Sequence, residues 1–212
     1  GNRVRAQRWL GRVCLVTGAN SGIGFESSVA LAGRGGRVWM LCRSRERGLA
    51  AVREVRTRTG SRRVHLGVID VSATASIRRF VRSLKAPVVD VIVHNAGVLP
   101  DERTETADGH ELTLATHVLG PWLLTTLLLP RLRRSGDARV VFVSSGGMYT
   151  QTLSLSDWEW RDRPYDGVVA YAQTKRMQVV LAELLAAELK GSGICMNAMH
   201  PGWADTPAVR TS

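Results

Sequence analysis

Two hydrophobic rhythms alternate along this chain. Short, largely apolar runs fall at residues 12–16, 37–42, 64–69, 88–93, 139–143 and 194–199. Runs of that length without polar alternation predict strands buried on both faces of a parallel sheet. Between them apolar residues recur at helical spacing. Examples are residues 25–32, residues 44–59 with Leu49, Val52 and Val55, and the stretch carrying Ile77, Phe80, Val81 and Leu84, which Ser72 is placed to cap. Longer helical stretches cover residues 110–132 and 168–190. Strand and helix in strict alternation predict the α/β class. The expected architecture is a Rossmann-type doubly wound parallel sheet with helices on both faces. Residues 1–212 form one domain in this reading, and the chain stops after the sixth strand.

The strand ends carry the polar chemistry. Strand one runs into Thr17-Gly18-Ala19-Asn20-Ser21-Gly22-Ile23-Gly24 and then a helix. Glycines there permit a tight turn and close backbone approach to a pyrophosphate, which the helix N-terminus attracts. The spacing is GxxxGxG rather than GxGxxG. At the end of strand two, where an NAD-binding site places an acid against the ribose, stand Cys42 and Arg43, with Arg45 and Arg47 close behind. Arginine suits a 2′-phosphate, so NADP(H) is favoured over NAD(H). Asp70-Val71 ends strand three, Asn95-Ala96-Gly97 strand four, Ser144-Ser145 strand five and Pro201-Gly202 strand six. Thr17, Asn95, Ser145 and Pro201 should therefore collect on one rim.

The second helix-borne signal is Tyr171-Ala172-Gln173-Thr174-Lys175. Residues four apart share a helix face. A cation near a phenol lowers its pKa and fits it for proton transfer. Taken alone, such a pair is more often a surface tyrosine beside a salt-bridging lysine.

The formal charge is +11, carried almost wholly by arginine. The basic residues are spread over many segments without interleaved aromatics, which favours a solvated basic surface over a nucleic-acid site. Cys14, Cys42 and Cys195 show no paired spacing, so neither a disulfide framework nor a metal site is expected. Residues 1–12 are basic without an apolar core, and the chain starts without methionine. The most apolar stretch, residues 122–132, is interrupted by Thr125, Thr126 and Pro130. No transmembrane segment is predicted, and a cytoplasmic setting is favoured. Residues 148–167 form a polar insertion holding Tyr149, Trp158, Trp160 and Tyr165. It is either a locally packed loop or a wall of the substrate pocket.

Jointly these motifs resemble the short-chain dehydrogenase/reductase family in its classical branch. Ser144-Ser145-Gly146-Gly147-Met148 and the stretch from His200 to Pro207 resemble an orphan group close to the retinol-dehydrogenase-like members. The resemblance implies cofactor contacts at Thr17, Gly18, Asn20, Ser21, Gly22, Ile23, Gly24, Arg43, Asp70, Val71, Asn95, Ala96, Gly97, Tyr171, Lys175, Pro201, Gly202 and Thr206. It implies catalysis by Ser145, Tyr171 and Lys175 on a small apolar carbonyl or alcohol. His117 stands where the family commonly has an asparagine that organises a proton relay. It either replaces the asparagine, disables the relay or simply packs in a helix interface. Family members continue with a further strand and a substrate-covering segment. The alternative to an enzyme is therefore a dinucleotide-binding protein that does not turn over. The family often pairs through its long helices, and Leu123, Leu124, Leu127, Leu128, Val179, Val180 and Leu184 are either faces for such a homodimer or part of the core.

Overall fold

The computed structural model describes residues 9–202. Thr206, and with it the motif beyond Gly202, lies outside the described residues. Six strands, β1 (Val13–Thr17), β2 (Arg37–Cys42), β3 (Val64–Val68), β4 (Val91–His94), β5 (Ala138–Val143) and β6 (Ile194–Met199), form one sheet in the order β3-β2-β1-β4-β5-β6. Every pairing is parallel. The order reverses between β1 and β4, and a crevice opens there at the carboxyl ends of the strands.

Helices α1 (Gly22–Gly33) and α2 (Arg45–Thr59) cover one face. Their Ala32, Ala51, Val52 and Val55 pack on Cys14, Val16, Val38 and Met40. Helices α3 (Thr74–Ser83), α4 (Leu112–Arg133) and α5 (Gly167–Glu188) cover the other. There Phe80, Leu124, Leu128 and Leu185 meet Leu15, Leu41, Ile92 and Phe142. Successive residues of β1 thus feed opposite cores, which is why Val13 to Val16 include no polar residue.

The cap of α3 differs from the expectation. Ala73 is the cap residue, and its helix's first N–H, that of Thr74, donates to Asp108 Oδ2 at 2.7 Å. Ser72 is instead drawn to Asp70 Oδ1, through its hydroxyl at 2.6 Å and its N–H at 2.9 Å.

The length argument against a membrane span is also corrected. Thr125, Thr126 and Pro130 do not break α4, which runs 22 residues and is long and apolar enough to cross a bilayer. Thr125 is fully buried and its hydroxyl pairs with His94 Nε2 at 2.8 Å, so it costs the helix nothing. About half of the helix's apolar window, 56%, is buried against the sheet, as in the core helix of a layered fold. Leu124 and Leu128 belong to that core, whereas Leu184 on α5 is 64% exposed.

The insertion before α5 packs on itself. Trp160 is buried, with Tyr165 edge-on at 5.4 Å and the Arg163 guanidinium 3.7 Å over its ring. Tyr165 Oη donates to Glu111 Oε1 at 3.0 Å, and Glu159 accepts from the Glu111 N–H at 3.2 Å. Glu111, fully buried, caps α4 by accepting from the Thr113 and Leu114 N–H groups at 2.7 and 2.6 Å. The loop is thereby fastened to the start of the central helix.

Candidate active site

The crevice at the switch point holds a cavity of about 580 Å³. That is a size suited to a cofactor or drug-sized ligand. Gly18, Asn20, Ser21, Gly22 and Ile23 form one end of its wall. Gly18 has φ of +63°, which glycine adopts without strain. A Cβ at Gly24 would lie 2.5 Å from both the Gly18 carbonyl oxygen and Asn95 Nδ2. Asn95 Nδ2 ties the turn down by donating to the carbonyls of Thr17, at 3.1 Å, and Gly18, at 3.3 Å. Thr17 works from behind the wall: its Oγ1 accepts from the N–H groups of Asn95 at 2.9 Å and Ala96 at 3.0 Å.

Helix α1 starts at this turn. Its cap residue, Ser21, makes no side-chain cap hydrogen bond. Its first turn therefore keeps free N–H donors and a partial positive charge facing the cavity. Arg43, Ser44 and Arg47 line the cavity beyond the end of β2, with Ile69, Asp70, Val71 and Ser72 beside them. Arg43 and Arg47 are exposed and make no ion pair among the described residues.

At the other end Ser145, Tyr171 and Lys175 open onto the same cavity, with Gly97, Pro201 and Gly202 around them. Ser145 is near enough to the Tyr171 phenol to lower its pKa. Lys175 is buried, and its Nζ donates to the Val143 carbonyl at 2.8 Å and lies 5.4 Å from the centroid of the Tyr171 ring. Burial pushes the Lys175 ammonium down to about 7. It also pushes the Tyr171 phenol up, offset in part by Ser145. This reverses the direction expected for Tyr171 from its spacing to Lys175. The lysine is itself desolvated and bound to a carbonyl, so it brings the phenol too little charge to outweigh burial.

His117 does not line the cavity. It sits in a π-helical turn, Ala115–Leu119, inside α4. The Val98 N–H donates to its Nε2 at 3.1 Å, so Nδ1 carries the proton and donates to Thr174 Oγ1 at 2.8 Å. The ring meets Tyr171 edge-on at 5.3 Å. Its carbonyl accepts from Gln178 Nε2 at 2.8 Å. Burial, and then the nearby Lys175, hold the imidazole well below its ordinary pKa. His117 is a neutral strut joining the β4 loop to α5.

Residues 12–212 match the sequence model of the short chain dehydrogenase family. The chain belongs to that family. Its sequence is 41% identical over 203 residues to "Dehydrogenase/reductase SDR family member 12" of Bos taurus, covering 95% of this chain and 63% of that protein. Retinol dehydrogenase 11 of Homo sapiens is 37% identical, over 95% of this chain and 64% of its own length. The chain thus spans less than two thirds of these curated relatives. Among solved structures, a Mycobacterium paratuberculosis protein superposes with a TM-score of 0.83 at 36% identity, covering 95% of this chain and 72% of that one. An active-site complex of Pseudomonas aeruginosa RhlG with NADP superposes with a TM-score of 0.78 at 27% identity, over 95% of this chain and 76% of that one. The resemblance to the short-chain dehydrogenases, and to an orphan group near their retinol-dehydrogenase-like members, is borne out.

Within this family member the fold brings most sequence-marked residues to one cavity. Thr17, Gly24 and His117 stand behind its wall, as does Thr174, while Thr206 lies outside the described residues. Several wall residues escaped the sequence reading, among them Val98, Leu99, Thr116 and Ser144. Ser144 donates to the Lys175 carbonyl at 2.7 Å, pinning β5 to α5. Its adjacency to Ser145 was the available signal. Thr174 and Gln178, three and seven residues past Tyr171, carried the signal of helical spacing. Trp158, Trp160 and Tyr165 are absent from the wall.

Proposed function

We propose that this chain is the cofactor- and substrate-binding part of an NADP(H)-dependent oxidoreductase that interconverts a small apolar carbonyl compound and its alcohol. The observation that carries this reading is the sharing of one cavity by Tyr171, Ser145 and Lys175 with the glycine turn and Arg43.

The donor set fits a nicotinamide dinucleotide. The uncapped start of α1 suits the pyrophosphate, Asn95 firms the turn, and Arg43 and Arg47 suit a 2′-phosphate where Cys42 leaves no competing acid. Such a cofactor, when bound, supplies or accepts the hydride. Tyr171 gives its phenolic proton to the carbonyl oxygen in reduction and recovers it in oxidation. Ser145 donates to the same oxygen and stabilises its developing charge. Lys175, titrating near neutrality, passes or holds a proton beside the phenol. Pro201 and Gly202 border the cavity at the same end.

The test is Tyr171→Phe. Turnover with NADPH on a panel of apolar aldehydes and ketones should fall at least ~100-fold, while NADPH affinity stays within about twofold. Wild-type turnover in the variant would overturn the assignment. A second reading, a dinucleotide-binding protein without turnover, is favoured by His117, whose ring nitrogens and carbonyl are all engaged away from the cavity. NADPH binding with no oxidation on any substrate would establish it.

A further inference from the structure

The formal charge of this chain is divided unevenly between the two sides of its crevice. Residues 27–89 hold 14 Lys and Arg against three Asp and Glu, a balance of +11 that equals the total for the chain. Residues 90–202 hold ten against 13. The first segment builds the end of α1, β2, α2, β3 and α3, on the β3 side of the switch point. The second builds β4, β5, β6, α4 and α5, the side that carries Tyr171 and Lys175. All 14 basic residues of the first segment are exposed. Of these, Arg58 alone has an ion pair among the described residues, with Glu26 at 2.7 Å. Basic residues that look dispersed along the sequence thus belong to elements on the β3 side of the switch point. Of these, Arg43 and Arg47 line the cavity.

So much charge with one ion pair among the described residues raises self-repulsion. It also produces a field that points across the crevice. A cleft at the junction of a positive and a slightly negative half attracts an anionic ligand and turns its charged end to one side. NADPH is such a ligand: about −4, from two pyrophosphate charges and up to two on the 2′-phosphate monoester. Its nicotinamide end carries none of these charges.

We propose that the basic β3 side of the molecule steers the cofactor: exposed arginines that never touch it raise its association rate and deliver its phosphates to the α1 and Arg43 side. This rests on the NADP(H) reading of the cavity. It adds a role for residues outside the cavity and predicts a kinetic signature that contact residues do not give.

The test uses the full chain with Arg53→Glu, Arg62→Glu and Arg79→Glu combined. None of the three lines the cavity, and each is exposed. Association and dissociation of NADPH are followed by stopped-flow quenching of tryptophan fluorescence, at ionic strengths from 10 mM to 0.5 M. At 10 mM the association rate should fall roughly tenfold, the lower end of the range for electrostatic steering. The dissociation rate should change less than about twofold. At 0.5 M the two proteins should converge, because the screening length has shrunk to a few ångströms. NADH, lacking the 2′-phosphate, should show a shallower salt dependence. The triple lysine variant at the same positions keeps the charge and should keep the wild-type rate. An association rate unchanged by the glutamates, or lost equally with the lysines, would overturn the proposal while leaving the cofactor reading intact. Failure of NADPH to bind the wild-type chain at any salt would overturn both.

Discussion

Lys175→Met should make this protein more stable at neutral pH while removing its proposed activity. Lys175 is 3% exposed, and its ammonium falls from an ordinary 10.5 to about 7 through burial. A folded-state pKa below the unfolded one means that the unfolded chain binds the proton more tightly. The stability associated with Lys175 is therefore complete above about 10.5 and is lost as pH falls through about 7. A gap of 3.5 units, at ~1.36 kcal/mol per unit, gives a charge-burial cost of roughly 4 kcal/mol at pH 7. Methionine removes that cost but leaves the Val143 carbonyl without its 2.8 Å donor, a penalty of about 1–3 kcal/mol. The net expectation is a gain of about 1–3 kcal/mol, or roughly 2–4 °C in Tm for each kcal/mol. Urea unfolding at pH 7, 8 and 9 checks it. The advantage of the variant should be largest at pH 7 and shrink by up to ~1.4 kcal/mol per pH unit. A variant less stable than wild type at pH 7, or an advantage independent of pH, would refute the reasoning.

Other expectations follow from the same geometry. Gly24→Ala should cost about 1–3 kcal/mol in chemical denaturation and weaken NADPH binding, because its Cβ meets the Gly18 carbonyl, which is backbone and cannot swing away. His117→Phe should destabilise by about 1–3 kcal/mol through the unpaired Val98 N–H, and His117→Asn should lose less. On the acid side, His94 is held down to about 3 and His117 well below 6.5, both chiefly by burial. Unfolding charges both, so stability should fall as pH drops from about 6.5, and His117→Phe should flatten that limb in urea titrations. Arg43→Ala should weaken NADPH binding by roughly tenfold, the loss of one charged hydrogen-bonding partner, and leave NADH nearly unchanged in equilibrium titrations.

Much of this site could be read before folding was considered. The glycine turn and the strand-end positions of Asn95, Ser145 and Pro201 follow from one regularity: in a parallel sheet every strand ends on the same rim. Period alone then told which residues share it. The tuning of the site was not legible. Spacing put Lys175 beside Tyr171 and suggested a lowered phenol pKa. Burial of both groups sets the opposite direction for the tyrosine, and burial belongs to the packed interior rather than to a helix repeat. The fate of His117 was equally hidden, since Val98, Thr174 and Gln178 reach it from three separate segments. Helix α4 escaped the membrane-length test because Thr125 reads as polar in sequence and is satisfied by His94 in the fold.

Local pattern was enough for the α/β class, the order of the elements and the identity of the residues at the rim, because backbone periodicity and chain direction are properties of neighbours in sequence. Tertiary packing alone decided which ionisable groups lose water, which tautomer His117 holds, and that the elements carrying the arginines of residues 27–89 lie on one side of the switch point. Those outcomes depend on distance and dielectric between segments far apart in the chain, and no local pattern encodes either.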